Sequence, residues 1–251
     1  MIIPNTIQTS LLGTNEIKYT IILPETVLKT CLWLHGYQER SADILQKSYL
    51  EKFSETYNIA VLIPDVPDTY YLDQPWNNYY TEQFLISEFL PTITALYHLP
   101  AAREDTYIAG ISMGGFGSLL LGSHFPDRFS KIVCISSAFI IDDILIGNPE
   151  VIGNFPGNLA HFQNLFGDIP SLEDSYSRNP SVAASQALKE KKLPQVFLAC
   201  GTEDLLYSRN VKMRKLLELL GGDVHWCEAV GNHNWGFFNK IMGNVFEWMK
   251  L

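Results

Sequence analysis

A chain of 251 residues, 47% of them hydrophobic, is long enough to bury one large core and need not be split into two domains. Its formal net charge is −9, with 18 Lys and Arg against 27 Asp and Glu and no basic cluster, which argues against nucleic acid or an anionic membrane as a partner. The opening Met1-Ile2-Ile3-Pro4-Asn5 has neither the basic region nor the apolar run of a secretory signal, and no stretch has the length of a membrane-spanning helix, so the expected location is the cytoplasm.

Taken along the chain, strand-like runs at 18–23, 30–35, 59–63, 106–110, 131–135, 195–200 and 224–230 are separated by helical patterns. The helices are expected at 43–57, 81–97, 113–123, 182–192, 208–220 and 235–250. Such alternation predicts a doubly wound, mostly parallel α/β sheet with helices on both faces, whose functional site opens at the carboxyl ends of the strands.

Several segments at those ends carry chemistry. The run Thr30-Cys31-Leu32-Trp33-Leu34 closes on His35-Gly36-Tyr37, where the glycine lets the backbone turn and the N–H of Tyr37 becomes a candidate oxyanion donor. His35 is read as a positioning side chain. The aromatic stretch from Tyr70 to Tyr80 follows a strand ending in Pro64-Asp65; it suits either a pocket with a wet mouth, with Trp76 as a substrate contact, or a packed loop.

The most telling run is Tyr107-Ile108-Ala109-Gly110-Ile111-Ser112-Met113-Gly114-Gly115-Phe116-Gly117. A short apolar strand turns at Gly-x-Ser-x-Gly into a helix, the pattern of a nucleophile elbow. Ser112 is the expected nucleophile and the N–H of Met113 the other oxyanion donor.

A serine nucleophile needs a base and a group to orient it. The strand Gln195-Val196-Phe197-Leu198-Ala199-Cys200 ends in Gly201-Thr202-Glu203-Asp204, and the next strand ends in Gly231-Asn232-His233-Asn234-Trp235. The order Ser112, Asp204, His233 therefore fits a triad, with Glu203 and, more weakly, Asp223 as rivals for the acid. His98 and His124 fall at expected helix ends, His225 lies inside a strand pattern, and His161 is open in role. Trp235, beside His233, is a second candidate substrate contact.

The segment 141–180 breaks the alternation with clustered Gly and Pro, and a small cap is expected there. Its Phe155, Phe162, Leu165 and Phe166 either line an acyl pocket or anchor the insertion. Cys31, Cys134, Cys200 and Cys227 all sit in strand-like runs without Cys-x-x-Cys spacing and read as small apolar residues. No metal or cofactor is expected, since no clustered His and carboxylate spacing occurs. Homo-oligomerisation is left open.

The elbow Gly-Ile-Ser-Met-Gly-Gly-Phe-Gly, the strand ending Leu-His-Gly, the Gly-Thr-Glu-Asp loop and the Gly-Asn-His-Asn-Trp segment together resemble the esterase D group of α/β-hydrolases, and within it bacterial tributyrin-esterase-like enzymes. The resemblance runs from about Thr20 to the C-terminus. It implies an α/β-hydrolase fold and a serine carboxylesterase acting on a small-molecule, short-chain acyl ester; relatives in the group include S-formylglutathione hydrolases, feruloyl esterases and acyltransferases. The chain departs from the group at His35-Gly36-Tyr37-Gln38-Glu39-Arg40, where many of these esterases carry a further glycine. The same triad would also serve an acyltransferase or a thioesterase, and the fold alone would suit a non-catalytic binding protein.

Overall fold

The computed structural model describes residues 1–148 and 159–250. Eight strands form one sheet: β1 (Ile2–Gln8), β2 (Glu16–Ile22), β3 (Lys29–Leu34), β4 (Ile59–Pro64), β5 (Thr106–Ile111), β6 (Lys131–Ile135), β7 (Gln195–Gly201) and β8 (Val224–Ala229). Their spatial order is β1-β2-β4-β3-β5-β6-β7-β8. β2 runs antiparallel to β1 and β4, and every pairing from β4 to β8 is parallel. This is the α/β-hydrolase arrangement.

Continuous apolar runs make the central strands because a parallel sheet is covered on both faces. Every residue of β4, β5 and β6 is buried. Successive side chains alternate between two cores. Leu32, Leu34, Ile108, Ile132, Cys134 and Leu198 join the core that holds Phe116, Leu119 and Leu120 of the helix Met113–His124. Cys31, Trp33, Ala109, Val133, Ile135 and Phe197 join the core under the C-terminal helix Trp235–Lys250, with Phe238, Met242 and Phe246. The four cysteines are free thiols; burial pushes Cys200 up to about 12, and raises Cys31, Cys134 and Cys227.

Three features differ from expectation. Strand β1 is additional: only Ile3 and Ile7 are half-buried, and Pro4 is tolerated because β1 is the sheet edge. The single helix expected at 43–57 is two, Ser41–Lys47 and Leu50–Tyr57. The Asn239 side chain holds the break open, accepting from Tyr49 N–H (3.0 Å) and donating to Lys47 C=O (2.8 Å), so the backbone groups freed there are satisfied. The helix at 81–97 carries a π-helical stretch, Phe84–Phe89, just before Pro91. Proline lacks an N–H and crowds the carbonyl four residues back, and the wider turn accommodates both.

His225 stacks on Phe197 at 5.0 Å, a packing role. His124 ends its helix as expected, but it is also a buried link. Its Nδ1 lies 2.6 Å from Glu82 Oε2 and its Nε2 2.9 Å from the Tyr176 carbonyl, with the Tyr176 ring stacked at 4.6 Å. Burial pulls the imidazole down, but the Glu82 carboxylate outweighs it and the net shift is upward. A raised histidine contributes stability below its unfolded value and loses it as pH rises through the folded one. Glu82→Gln should therefore cost about 2 kcal/mol at pH 6, roughly 5 °C in Tm, and distinctly less at pH 9. Thermal melts of both proteins at the two pH values check this; an equal loss at both would contradict it.

Candidate active site

The backbone at Ser112 has φ +57° and ψ −115°, a region L-residues avoid. It is held there from both sides. Ser112 N–H donates to Ile135 C=O (2.9 Å), while its carbonyl accepts from Ala138 N–H (3.0 Å) and Phe116 N–H (3.1 Å). The flanking glycines are required by space: a Cβ on Gly110 would lie 2.3 Å from the Gly114 backbone, and one on Gly114 would lie 2.0 Å from the Leu34 carbonyl oxygen.

Adjacent loops bring the partners in. Thr202 N–H donates to Ala229 C=O (3.0 Å) and Glu203 N–H to Gly231 C=O (3.0 Å), tying the loop after β7 to the loop after β8. His233 Nε2 then stands 3.0 Å from Ser112 Oγ, and Nδ1 stands 2.9 Å from Asp204 Oδ2. The Asp204 side chain is fully buried, and its other oxygen accepts from Leu206 N–H at 2.8 Å. Burial alone would raise this carboxyl; hydrogen bonds from His233, Leu206 N–H and the Ser136 hydroxyl outweigh it and hold it below its usual value. Glu203, the rival acid, is exposed and accepts from Asn232, while Asp223, just before β8, accepts from Gln195, the first residue of β7.

Met113 opens the helix after the elbow, and no described residue accepts from its N–H, as expected for a first-turn donor. The loop bearing Tyr37 is fastened at several points. His35 is buried with Nδ1 2.8 Å from the Gly36 carbonyl and Nε2 3.1 Å from that of Val66. Tyr71 donates to the His35 carbonyl (2.8 Å), and Asp68 accepts from Gln38 N–H (3.0 Å). Burial lowers the His35 imidazole, which suits a positioning role rather than a base. Tyr71, Val66 and Asp68 were invisible as partners because they lie some thirty residues away along the chain. A cleft of about 470 Å³ opens over Ser112 and His233, lined also by Gly36, Tyr37, Glu39, Leu205, Leu206, Trp235 and Phe238. Among the described residues, no group of His, Cys, Asp and Glu is placed to hold a metal ion.

The model of the Esterase family, described as "Putative esterase", matches residues 14–242. The chain belongs to this family. An acetyl esterase of Caldicellulosiruptor saccharolyticus is 33% identical over 222 residues, covering 88% of this chain and 83% of the relative. Two solved structures from Staphylococcus aureus share the fold at 21% identity. The S-formylglutathione hydrolase FrmB superposes with a TM-score of 0.86, covering 100% of this chain and 99% of that one. The fluorophosphonate-binding serine hydrolase FphF superposes with a TM-score of 0.88, covering 100% and 98%. The protein is an esterase, a hydrolase of carboxylic ester bonds.

Within this esterase, the two candidate tryptophans part company. Trp235 lines the cleft. Trp76 does not: its indole N–H donates to the Asn164 carbonyl (2.8 Å), and its ring lies against Gly167, so it braces the helix Leu159–Phe166 from outside. Phe162 and Phe166 on that helix are buried, and Phe166 meets Tyr70 (5.0 Å) and Phe116 (6.0 Å), while Leu165 joins the same core. None of the three lines the cleft; they anchor the segment. Phe155 lies outside the described residues. His161 reaches back to the loop after β3, with Nε2 3.4 Å from the Tyr37 hydroxyl. No described helix is long and apolar enough to cross a membrane.

Proposed function

We propose that this esterase hydrolyses short-chain acyl esters of small molecules, acetyl esters foremost, through a Ser112-His233-Asp204 triad, and that it falls in the esterase D group near the tributyrin esterases. The observation that carries the reading is the hydrogen-bonded run from Ser112 Oγ through His233 to the buried Asp204, at 3.0 and 2.9 Å, on the strained strand-to-helix turn at Ser112. The acetyl esterase relative supports the short acyl group.

In this mechanism His233 Nε2 takes the hydroxyl proton as Ser112 Oγ attacks the ester carbonyl carbon. Asp204 fixes the imidazole tautomer and stabilises the imidazolium. The N–H groups of Met113 and Tyr37 receive the oxyanion, each worth about a hundredfold in rate. The tetrahedral intermediate collapses, His233 returns its proton to the leaving alcohol, and water repeats the sequence on the acyl-enzyme. Side chains, backbone and water suffice.

The test is hydrolysis of p-nitrophenyl acetate, butyrate and octanoate, with a fluorophosphonate probe applied to the same protein. Rates should fall as the chain lengthens, and mass spectrometry should place the probe on Ser112. Octanoate as the best substrate would overturn the short-chain assignment, and label on any other residue would overturn the nucleophile.

A further inference from the structure

The loop that departs from its group places a carboxylate in the cleft wall. Glu39 Oε1 accepts from Trp235 Nε1 at 2.8 Å, a bond between the oxyanion loop and the loop that carries His233. Its Oε2 lies against Gly36, 2.9 Å from where a Cβ on that glycine would stand, and no described residue donates to it. The side chain keeps 19% of its surface accessible. Among the described residues, Glu39 is the one acidic residue lining the cleft, and no lysine or arginine lines it.

The cations close by offset this charge only in part. Lys47 Nζ stands 3.6 Å from Glu39 Oε1, but it is equally shared with Asp43 at 3.6 Å and stays 42% exposed. The Arg40 guanidinium is paired with Asp68 at 3.2 Å. A negative charge that is half-buried, partly neutralised on one oxygen and open on the other repels anions and accepts from donors.

We propose that Glu39 sets the substrate class of this cleft: esters whose non-reacting part bears a hydroxyl donor or a positive charge are accepted, and esters bearing a carboxylate are rejected. The proposal rests on the esterase reading of the same cleft. It assigns the departure at Tyr37-Gln38-Glu39 a consequence, since a glycine in that loop would carry no charge.

The experiment uses four acetates that differ only in the alcohol: ethyl acetate, 2-hydroxyethyl acetate, acetylcholine and acetoxyacetate. Acetate release gives kcat/KM for the wild type, Glu39→Gln and Lys47→Met. Intrinsic reactivity differs among the four, so the quantity read is the change in the acetylcholine-to-acetoxyacetate ratio between proteins, in which that reactivity cancels. Glutamine still accepts from Trp235, so Glu39→Gln should lower the ratio about tenfold, mostly through KM. Lys47→Met removes the offsetting cation and should raise it about threefold. The two shifts have opposite signs, which misfolding cannot produce, and both should shrink in 1 M salt. The 2-hydroxyethyl-to-ethyl ratio should fall with Glu39→Gln as well.

A ratio that stays within twofold in Glu39→Gln while all four acetates turn over would overturn the Glu39 assignment and leave the esterase standing. Absence of turnover on all four and on p-nitrophenyl acetate would overturn the esterase reading and this proposal with it.

Discussion

Alanine at Ser112 should lower kcat on p-nitrophenyl acetate by about 10⁶-fold, and alanine at His233 should do almost the same. The reason is geometric. Among the described residues Ser112 Oγ has a single base within reach, His233 Nε2 at 3.0 Å, so either change removes the same proton transfer. The double variant should be no slower than the singles, because a unit already broken cannot be broken twice. Asp204→Asn should be milder, about 10⁴-fold, since the imidazole remains but its tautomer is no longer dictated from Nδ1. A residual rate of about 10³-fold over solution would persist in the Ser112 and His233 variants and their double from the donors at Met113 and Tyr37. Single-turnover assays with active-site titration check the series. Additive losses in the double variant would mean that Ser112 and His233 act in separate steps, and the run of hydrogen bonds would lose its catalytic meaning.

What could be read along the chain, and what could not, divides by the range of the interactions involved. The five central strands announce themselves because burial on both faces leaves them almost continuously apolar, as in Ile59–Pro64. The three residues proposed as the triad lie 92 and 29 positions apart, yet each stands just beyond a parallel strand, Ser112 after β5, Asp204 after β7 and His233 after the half-exposed edge strand β8, and parallel strands deliver their ends to one edge of the sheet. Local pattern and topology together therefore bring Ser112, Asp204 and His233 to one place, where they are hydrogen-bonded. The interruptions were not legible. The break at Ser48 depends on Asn239, 190 residues downstream of its Tyr49 partner, and nothing local to 43–57 signals it. The edge strand β1 has too little burial to alternate. Trp76 looked like a pocket residue because it sits at the active edge in a run of aromatics; its partner on the helix Leu159–Phe166 shows only in three dimensions. The same is true of Glu39, whose charge is plain in the sequence but whose bond to Trp235 spans 196 residues.

Gly114→Ala should be far more damaging than its size suggests. The added carbon would sit 2.0 Å from the Leu34 carbonyl oxygen, 2.6 Å from its carbon and 2.9 Å from the His35 oxygen. All three are backbone atoms, so no rotamer change relieves the overlap, and β3 and the elbow helix must move apart by more than an ångström. That movement pulls on the loop His35-Gly36-Tyr37 and on the strained φ of Ser112 together, so activity should fall at least a hundredfold even where the chain still folds. Stability should fall by about 3 kcal/mol or more, the cost of overpacking against unyielding atoms. Gly243→Ala is the matched control. It lies inside the helix Trp235–Lys250, where an added Cβ makes ordinary contact with Phe53 at 3.6 Å. Replacing a mid-helix glycine there should stabilise the protein by about 1 kcal/mol, with full activity retained. Urea denaturation and p-nitrophenyl acetate turnover on both variants separate the two cases. If Gly114→Ala retained wild-type turnover, the close approach of the elbow to the end of β3 would not be what aligns the nucleophile with its oxyanion donors.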